Sequence, residues 1–216
     1  LRGVVGGFKI GSRLFPSRGP AFVEALVARG DRVFLDLKYH DIPNTVAGAV
    51  AAATRLGVWM VNVHASGGDA MMRAAKAAAV DESARIGCAS PLVIAVTVLT
   101  SFDQAALAGV GVDRPVPEQV TRLARLAKSA GLDGVVASPQ EIGIIREACG
   151  GAFEIVTPGI RGAGDEKGDQ RRTLSAAGAL GAGATYLVVG RPIIAAPDPR
   201  AAAERLSGEC AQASRG

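Results

Sequence analysis

Residues 34–45 read FLDLKYHDIPNT. A short apolar strand runs straight into Asp36, Lys38 and Asp41, and Pro43 then suits the first turn of a helix. Side chains two apart on a strand share a face, so Asp36 and Lys38 are expected to project together. Asp41 follows in the loop, and two carboxylates packed around one lysine would keep that lysine protonated by raising its pKa. A strand end carrying this cluster points to proton delivery. The plainer alternative is a surface ion pair, usually worth little.

Outward from this segment, strand-like and helix-like stretches alternate along the whole chain. Seven apolar runs read as strands: 7–11, 33–37, 58–64, 92–98, 134–137, 154–157 and 186–190. Ala-, Leu- and Arg-rich stretches lie between them, among them 45–56, 68–80, 117–130, 139–149 and 171–180. Alternation with strands apolar on both faces argues for a parallel sheet in an α/β fold. Seven βα units fall one short of a closed TIM (β/α)8 barrel. Only six residues precede the first strand, and the chain opens on Leu1. The expectation is therefore a single barrel domain over 1–216, N-terminally incomplete by about one βα unit. An open doubly wound sheet is the alternative, and it leaves two edges to protect.

The bulk composition excludes several classes. At 216 residues and 49% hydrophobic, the chain can bury a substantial core as one domain. No apolar run reaches the roughly 18–20 residues of a membrane helix, and the first residues do not read as a signal peptide, so none is expected. The net charge of +4 comes from scattered arginines, and aromatics make up only 4%. That pattern speaks for a solvated basic surface, with a few arginines facing a small anion, rather than for nucleic acid. Cys88, Cys149 and Cys210 form no CxxC pair and no metal-ligand spacing, so a reduced, cytoplasmic setting is expected.

In a barrel of parallel strands the chemistry sits at the strand C-terminal ends and in the loops after them. Those ends carry Lys9, then Asp36 and Lys38, His64, Thr97 to Ser101, Ser138, Thr157–Gly159 and Gly190–Arg191. The last two strands lead into TPGIRGAGDEKGDQRR (157–172) and GRPI (190–193). Barrels often hold phosphate in these two loops, through glycine amides and a nearby helix N-terminus. The glycine-rich loop 159–168 reads either as a lid over a ligand or as a plain surface connection. His64 ends a strand and is expected to be a hydrogen-bonded structural histidine. Asp41 could equally be a carboxylate favoured by the start of the helix at Pro43.

FLDLKYHDIPNTV, MVNVHASGG, AVTVLTS, LDGVVAS, VTPGIR, GDQRR and VVGRPI, in this order, closely resemble the orotidine 5′-phosphate decarboxylases, over essentially the whole chain. The resemblance implies a barrel enzyme that needs no cofactor and no metal, turning orotidine 5′-monophosphate into uridine 5′-monophosphate in pyrimidine biosynthesis. By that resemblance Lys38 would protonate C6 of the pyrimidine. Asp36 would lie beside the departing carboxylate and hold the lysine. Asp41, with Ile42 and Thr45, would reach across a homodimer interface into the partner's site. Lys9 would complete the charged array near the ribose, and Thr100 would lie near the ring. Arg161, Gln170, Gly190 and Arg191 fall where the family grips its ligand, chiefly the phosphate. The family's first strand ends in an aspartate that contacts the ribose, and that strand would fall in the N-terminal unit expected to be missing from this sequence.

Two other functions remain in view. One is a barrel relative acting on sugar phosphates through a metal-stabilised enediolate, which a magnesium dependence would expose. The other is a non-catalytic nucleotide-binding remnant, which would bind uridine monophosphate without turnover.

Overall fold

A computed structural model describes residues 1–160 and 174–213. These contain seven strands: β1 (Phe8–Gly11), β2 (Val33–Tyr39), β3 (Met60–His64), β4 (Leu92–Val96), β5 (Gly134–Val136), β6 (Glu154–Thr157) and β7 (Tyr186–Leu187). All seven fall in the apolar runs expected, with β2 continuing two residues further. The helices are α1 (Phe15–Ala28), α2 (Pro43–Arg55), α3 (Gly68–Ile86), α4 (Gln104–Gly109), α5 (Val116–Ser129), α6 (Ile142–Cys149), α7 (Ala176–Gly181), α8 (Arg191–Ile194) and α9 (Pro199–Ala213). No helix among the described residues is long and apolar enough to cross a membrane.

Two compact units share these elements, and each is described by itself. The first comprises residues 6–96 and 126–134. In it β1 to β4 lie parallel in chain order. Val33, Phe34, Leu35, Met60, Val61, Val63, Val93 and Ile94 are all buried, although neighbours along a strand face opposite ways. Burial on both faces is why these strands read as unbroken apolar runs. Helix α2 buries Val46, Val50, Ala53 and Thr54, and α3 buries Met71, Ala75, Ala79 and Ser83. The four-residue steps put each set on one helix face. Helix α1 is kinked at Gly19 (φ 69°), with Pro20 next to it. Gly57 closes α2 at φ 71°, and a Cβ there would lie 2.9 Å from Val27 Cγ1, so only glycine fits.

The register of this unit brings the polar residues of β1, β2 and β3 together. Gly11 at the end of β1 lies opposite Asp36, and Lys9 lies opposite Phe34. Between β2 and β3 the pairing slips between Leu35 and Tyr39. The slip is a β-bulge at Asp36–Lys38, and bulges re-aim side chains. Beyond it, Asn62 and His64 of β3 pair regularly with Ile94 and Val96 of β4.

The second unit comprises residues 1–5, 97–125 and the described part of 135–216. Strands β6 and β7 are parallel, with Thr157 opposite Leu187. The Thr97 N–H donates to Val136 O, and the Ala137 N–H donates to Val156 O, at 3.2 and 3.1 Å. Arg146 of α6 ties this unit together. Its guanidinium donates to the carbonyls of Gly183, Gly150, Gly151 and Phe153 and to Thr185 Oγ1. One side chain thus donates to four loop carbonyls and a hydroxyl. Ile160 and Leu174 pair in an isolated parallel bridge, which joins the two ends of the stretch 161–173.

Candidate active site

Asp36 is the centre of the first unit's polar cluster. It is 8% exposed, on a strand whose preceding three residues are buried apolar side chains. Lys38 Nζ donates to Asp36 Oδ1 at 2.6 Å, and Lys9 Nζ lies 3.0 Å from Asp36 Oδ2. Asn62 Nδ2 donates to Oδ1 as well, at 2.7 Å. Each carboxylate oxygen therefore faces its own ammonium. Burial pushes the Asp36 carboxyl up, but Lys9, the bonded Lys38 and the Asn62 amide together outweigh it and hold the carboxyl below its ordinary value. Asp36 is ionised at neutral pH, and two positive charges are fixed on either side of it.

Three local features place these groups. Lys38 has φ 54°, and among the described residues it is the one non-glycine with positive φ. With the bulge, this turns the chain out of the regular pleat. Asp36 and Lys38 do meet, but through the bulge rather than through the two-residue period of a flat strand. Asn62 Oδ1 accepts the Lys38 backbone N–H at 2.8 Å, so β3 braces the turn. Gly11, opposite Asp36, leaves the space that Lys9 uses: a Cβ there would lie 3.1 Å from Lys9 Nζ.

The charge pattern corrects the sequence reading. One carboxylate sits between two lysines, rather than one lysine between two carboxylates. Asp41 makes no ion pair with Lys38 among the described residues. Its Oδ1 accepts the N–H of Ile42 at 2.7 Å, in the exposed link between β2 and α2. The residue before Pro43 is extended, with Ile42 at φ −59° and ψ 153°, so Asp41 is carried outward. Asp41, Ile42 and Thr45 are all exposed, and Ile42 is 67% accessible despite its apolar side chain.

The histidines also differ from expectation. The His64 ring lies 5.5 Å from that of His40, tilted by 33°. Among the described residues the His64 side chain makes this ring contact and no hydrogen bond. Burial, then the neighbouring His40 and Lys38 charges, lower the His64 pKa against the pull of Asp36. A neutral imidazole at physiological pH is the consequence.

The remaining expected residues belong to the second unit or fall outside the described residues. Thr100 is half-buried in the turn after β4. Gly190 precedes α8 and Arg191 begins it, both exposed. Arg161 and Gln170, and with them most of the loop 159–168 and the GDQRR segment, lie outside the described residues. Ser138 is fully buried, and its Oγ accepts the Gln140 N–H. Two residues of the cluster, Gly11 and Asn62, do not stand out in the sequence. The signal for Asn62 is an amide within the apolar run VWMVNVH, on a strand buried on both faces.

Residues 2–206 match the family model described as orotidine 5′-phosphate decarboxylase / HUMPS family. The chain is 60% identical over 205 residues to an orotidine 5′-phosphate decarboxylase of Moorella thermoacetica, covering 94% of this chain and 81% of that protein. A protein of the same name from Paramagnetospirillum magneticum is 54% identical, with 97% and 89% covered. The crystal structure of orotidine 5′-phosphate decarboxylase from Lactobacillus acidophilus superposes with a TM-score of 0.84 at 39% identity, covering 94% of this chain and 85% of that one. The seven parallel strands and their helices are the α/β architecture of a TIM barrel.

The Lys9–Asp36 contact stabilises the fold only while Asp36 is ionised. Its folded pKa is depressed, so this stability is present above the ordinary value of 3.8 and is lost as pH falls through the lower folded value. Gly11→Ala pushes the Lys9 ammonium aside and is expected to remove up to about 1 kcal/mol of that pH-dependent stability. Urea melts near neutrality and in strong acid check this. The variant's deficit should shrink in acid, and a deficit equal at both would show that the contact contributes nothing.

Proposed function

The chain belongs to the orotidine 5′-phosphate decarboxylase / HUMPS family, and on that premise we propose that it converts orotidine 5′-monophosphate to uridine 5′-monophosphate without a cofactor, with Lys38 as the proton donor. The observation that carries this reading is the buried Asp36 carboxylate held between the Lys38 and Lys9 ammonium groups at 2.6 and 3.0 Å. Loss of carbon dioxide from the pyrimidine leaves an electron pair on C6 that the ring delocalises poorly. Fixed positive charge aimed at that carbon stabilises the developing anion, and no reorganisation is needed at the moment of reaction.

The steps balance simply. The bond from C6 to the carboxylate carbon breaks, carbon dioxide leaves, and the electron pair stays on C6. Lys38 Nζ gives its proton to C6, and the neutral amine regains a proton from solvent. Asp36 holds Lys38 in place until then, and Lys9 holds the other carboxylate oxygen. On the family likeness, Thr100 is assigned to the pyrimidine, and Arg161, Gln170, Gly190 and Arg191 to the ligand's phosphate end. Binding energy from the phosphate, remote from C6, can organise the reacting end.

The same reading takes residues 1–216 as one barrel domain, working as a homodimer in the cytoplasm with no nucleic-acid or membrane partner. Asp41, Ile42 and Thr45 would enter the partner's site. The 67% exposure of Ile42 and the outward turn of Asp41 support that use of the segment. Against a metal-dependent enzyme acting on sugar phosphates, the relatives from Moorella thermoacetica and Paramagnetospirillum magneticum, at 60% and 54% identity, are both named as decarboxylases. A carboxylate already bonded to two ammonium groups is also a poor ligand for a magnesium ion.

Two measurements test the reading. Loss of orotidine monophosphate absorbance should persist in chelator and fall by about 10³-fold or more in Lys38→Ala. Abolition by chelator, or turnover retained in the variant, would contradict it. Mixing inactive Lys38→Ala and Asp41→Asn subunits should restore activity, because a mixed dimer carries one intact site. No recovery from a mixture shown to exchange subunits would remove Asp41 from the partner's site.

A further inference from the structure

Asn62 lies at the centre of β3 with no exposed surface. An amide here needs partners on both its oxygen and its nitrogen, because buried polar groups left unpaired are costly. Its oxygen accepts the Lys38 N–H at 2.8 Å and its nitrogen donates to Asp36 Oδ1 at 2.7 Å. The direction of the amide is forced. The Lys38 N–H can only donate, so the amide oxygen must face it, and the NH₂ is left to meet the carboxylate.

The two bonds act on the two halves of the same unit. The first fixes the Lys38 backbone at φ 54°, a conformation that residues with side chains rarely adopt. The second takes a position on Oδ1, the oxygen that also receives Lys38 Nζ at 2.6 Å. Lys38 is thus held at its backbone by Asn62 directly and at its ammonium by a carboxylate that Asn62 orients. Two Asn62 bonds, from a neighbouring strand, span the slip in β2–β3 pairing between Leu35 and Tyr39.

We propose that Asn62 is a positioning residue for proton delivery: its carboxamide locks the Lys38 turn and the Asp36 carboxylate into one arrangement, so that the ammonium is presented at a single place. The proposal rests on Lys38 being the proton donor. Asn62 is wholly buried, and both of its side-chain bonds go to Lys38 and Asp36, so its effect is carried by those two residues. Its loss therefore lowers kcat and leaves KM for the substrate nearly unchanged.

It also has a signature in pH. The groups facing the Asp36 carboxylate are Lys9 from β1, Lys38 from its own strand and Asn62 from β3, with His64 of β3 near it and beside Lys38 and His40, the residue that follows β2. Asn62 is among the groups that favour the ionised carboxylate. Removing its N–H raises the Asp36 pKa, and the acidic limb of kcat moves to higher pH. A residue that only filled space would not move that limb.

Asn62→Leu keeps the branched outline of the side chain, in a somewhat larger form, and suits an apolar strand, but neither donates nor accepts a hydrogen bond. Asn62→Asp keeps the shape and turns an oxygen toward Asp36 where an N–H had been. Expected for Asn62→Leu are a kcat about 10- to 100-fold lower, a KM within about 3-fold, and an acidic limb shifted upward. Asn62→Asp should shift the limb further, because two carboxylates then share one site. Thermal melts and uridine monophosphate binding establish that each variant is folded with its site intact. Folded variants with unchanged kcat, or with lowered kcat and an unmoved limb, would overturn the proposal. Lys38→Ala in the same assay separates the two ideas. If it retains turnover, the proton-donor reading fails; if it is inactive while the Asn62 variants behave like the parent, only the role of Asn62 fails.

Discussion

A carboxylate kept charged in a buried place is the constraint on which the first unit depends. Moving an ion out of water costs several kcal/mol unless partners replace its hydration. Asp36 meets that requirement with two ammonium groups and one amide. Each partner makes a demand on the fold. Lys9 needs β1 beside β2 and a glycine at position 11. Lys38 needs a bulge and a left-handed backbone. Asn62 needs β3 in register at the other edge of the same strand. The apolar faces of β1 to β4 and the helices α2 and α3 make the rigid setting in which these demands hold together.

The architecture was legible because burial on both faces leaves a plain trace. Each of the seven strands lies in an apolar run, and strand ends carry the polar residues. Helix α1 was less visible, since FPSRGPAFVEALVA places Gly19 and Pro20 in its middle and the helix kinks there. Helix α4 is six residues long and is marked chiefly by the Asp103 side chain, which accepts the Ala106 N–H at its start. Short elements of this kind carry too little periodicity to be read.

The site was legible in its members more than in its geometry. The spacing of Asp36 and Lys38 suggested a shared face, and they do meet, yet a flat strand is not what joins them. The bulge could not be read, because the turn is braced by a hydrogen bond that the Lys38 N–H donates to Asn62, 24 residues further on. The same long-range bond explains why Asn62 passes for an ordinary strand residue. Asp41 looked like a second partner for Lys38 because it is near in sequence. The extended backbone before Pro43 carries it away, and the positive charge it was expected to share belongs instead to Lys9 and Lys38 around one carboxylate.

The central role of the ion cluster is tested most directly by titrating the Asp36 carboxyl, followed by carbon NMR in the ligand-free protein and in Lys38→Ala. The expected midpoint lies below the ordinary aspartate value of 3.8 in the parent and rises when Lys38 is removed, because burial then meets less opposing charge. A parent midpoint at or above the ordinary value, or one that ignores the loss of Lys38, would contradict this. The ion cluster would then not be the element that organises this site.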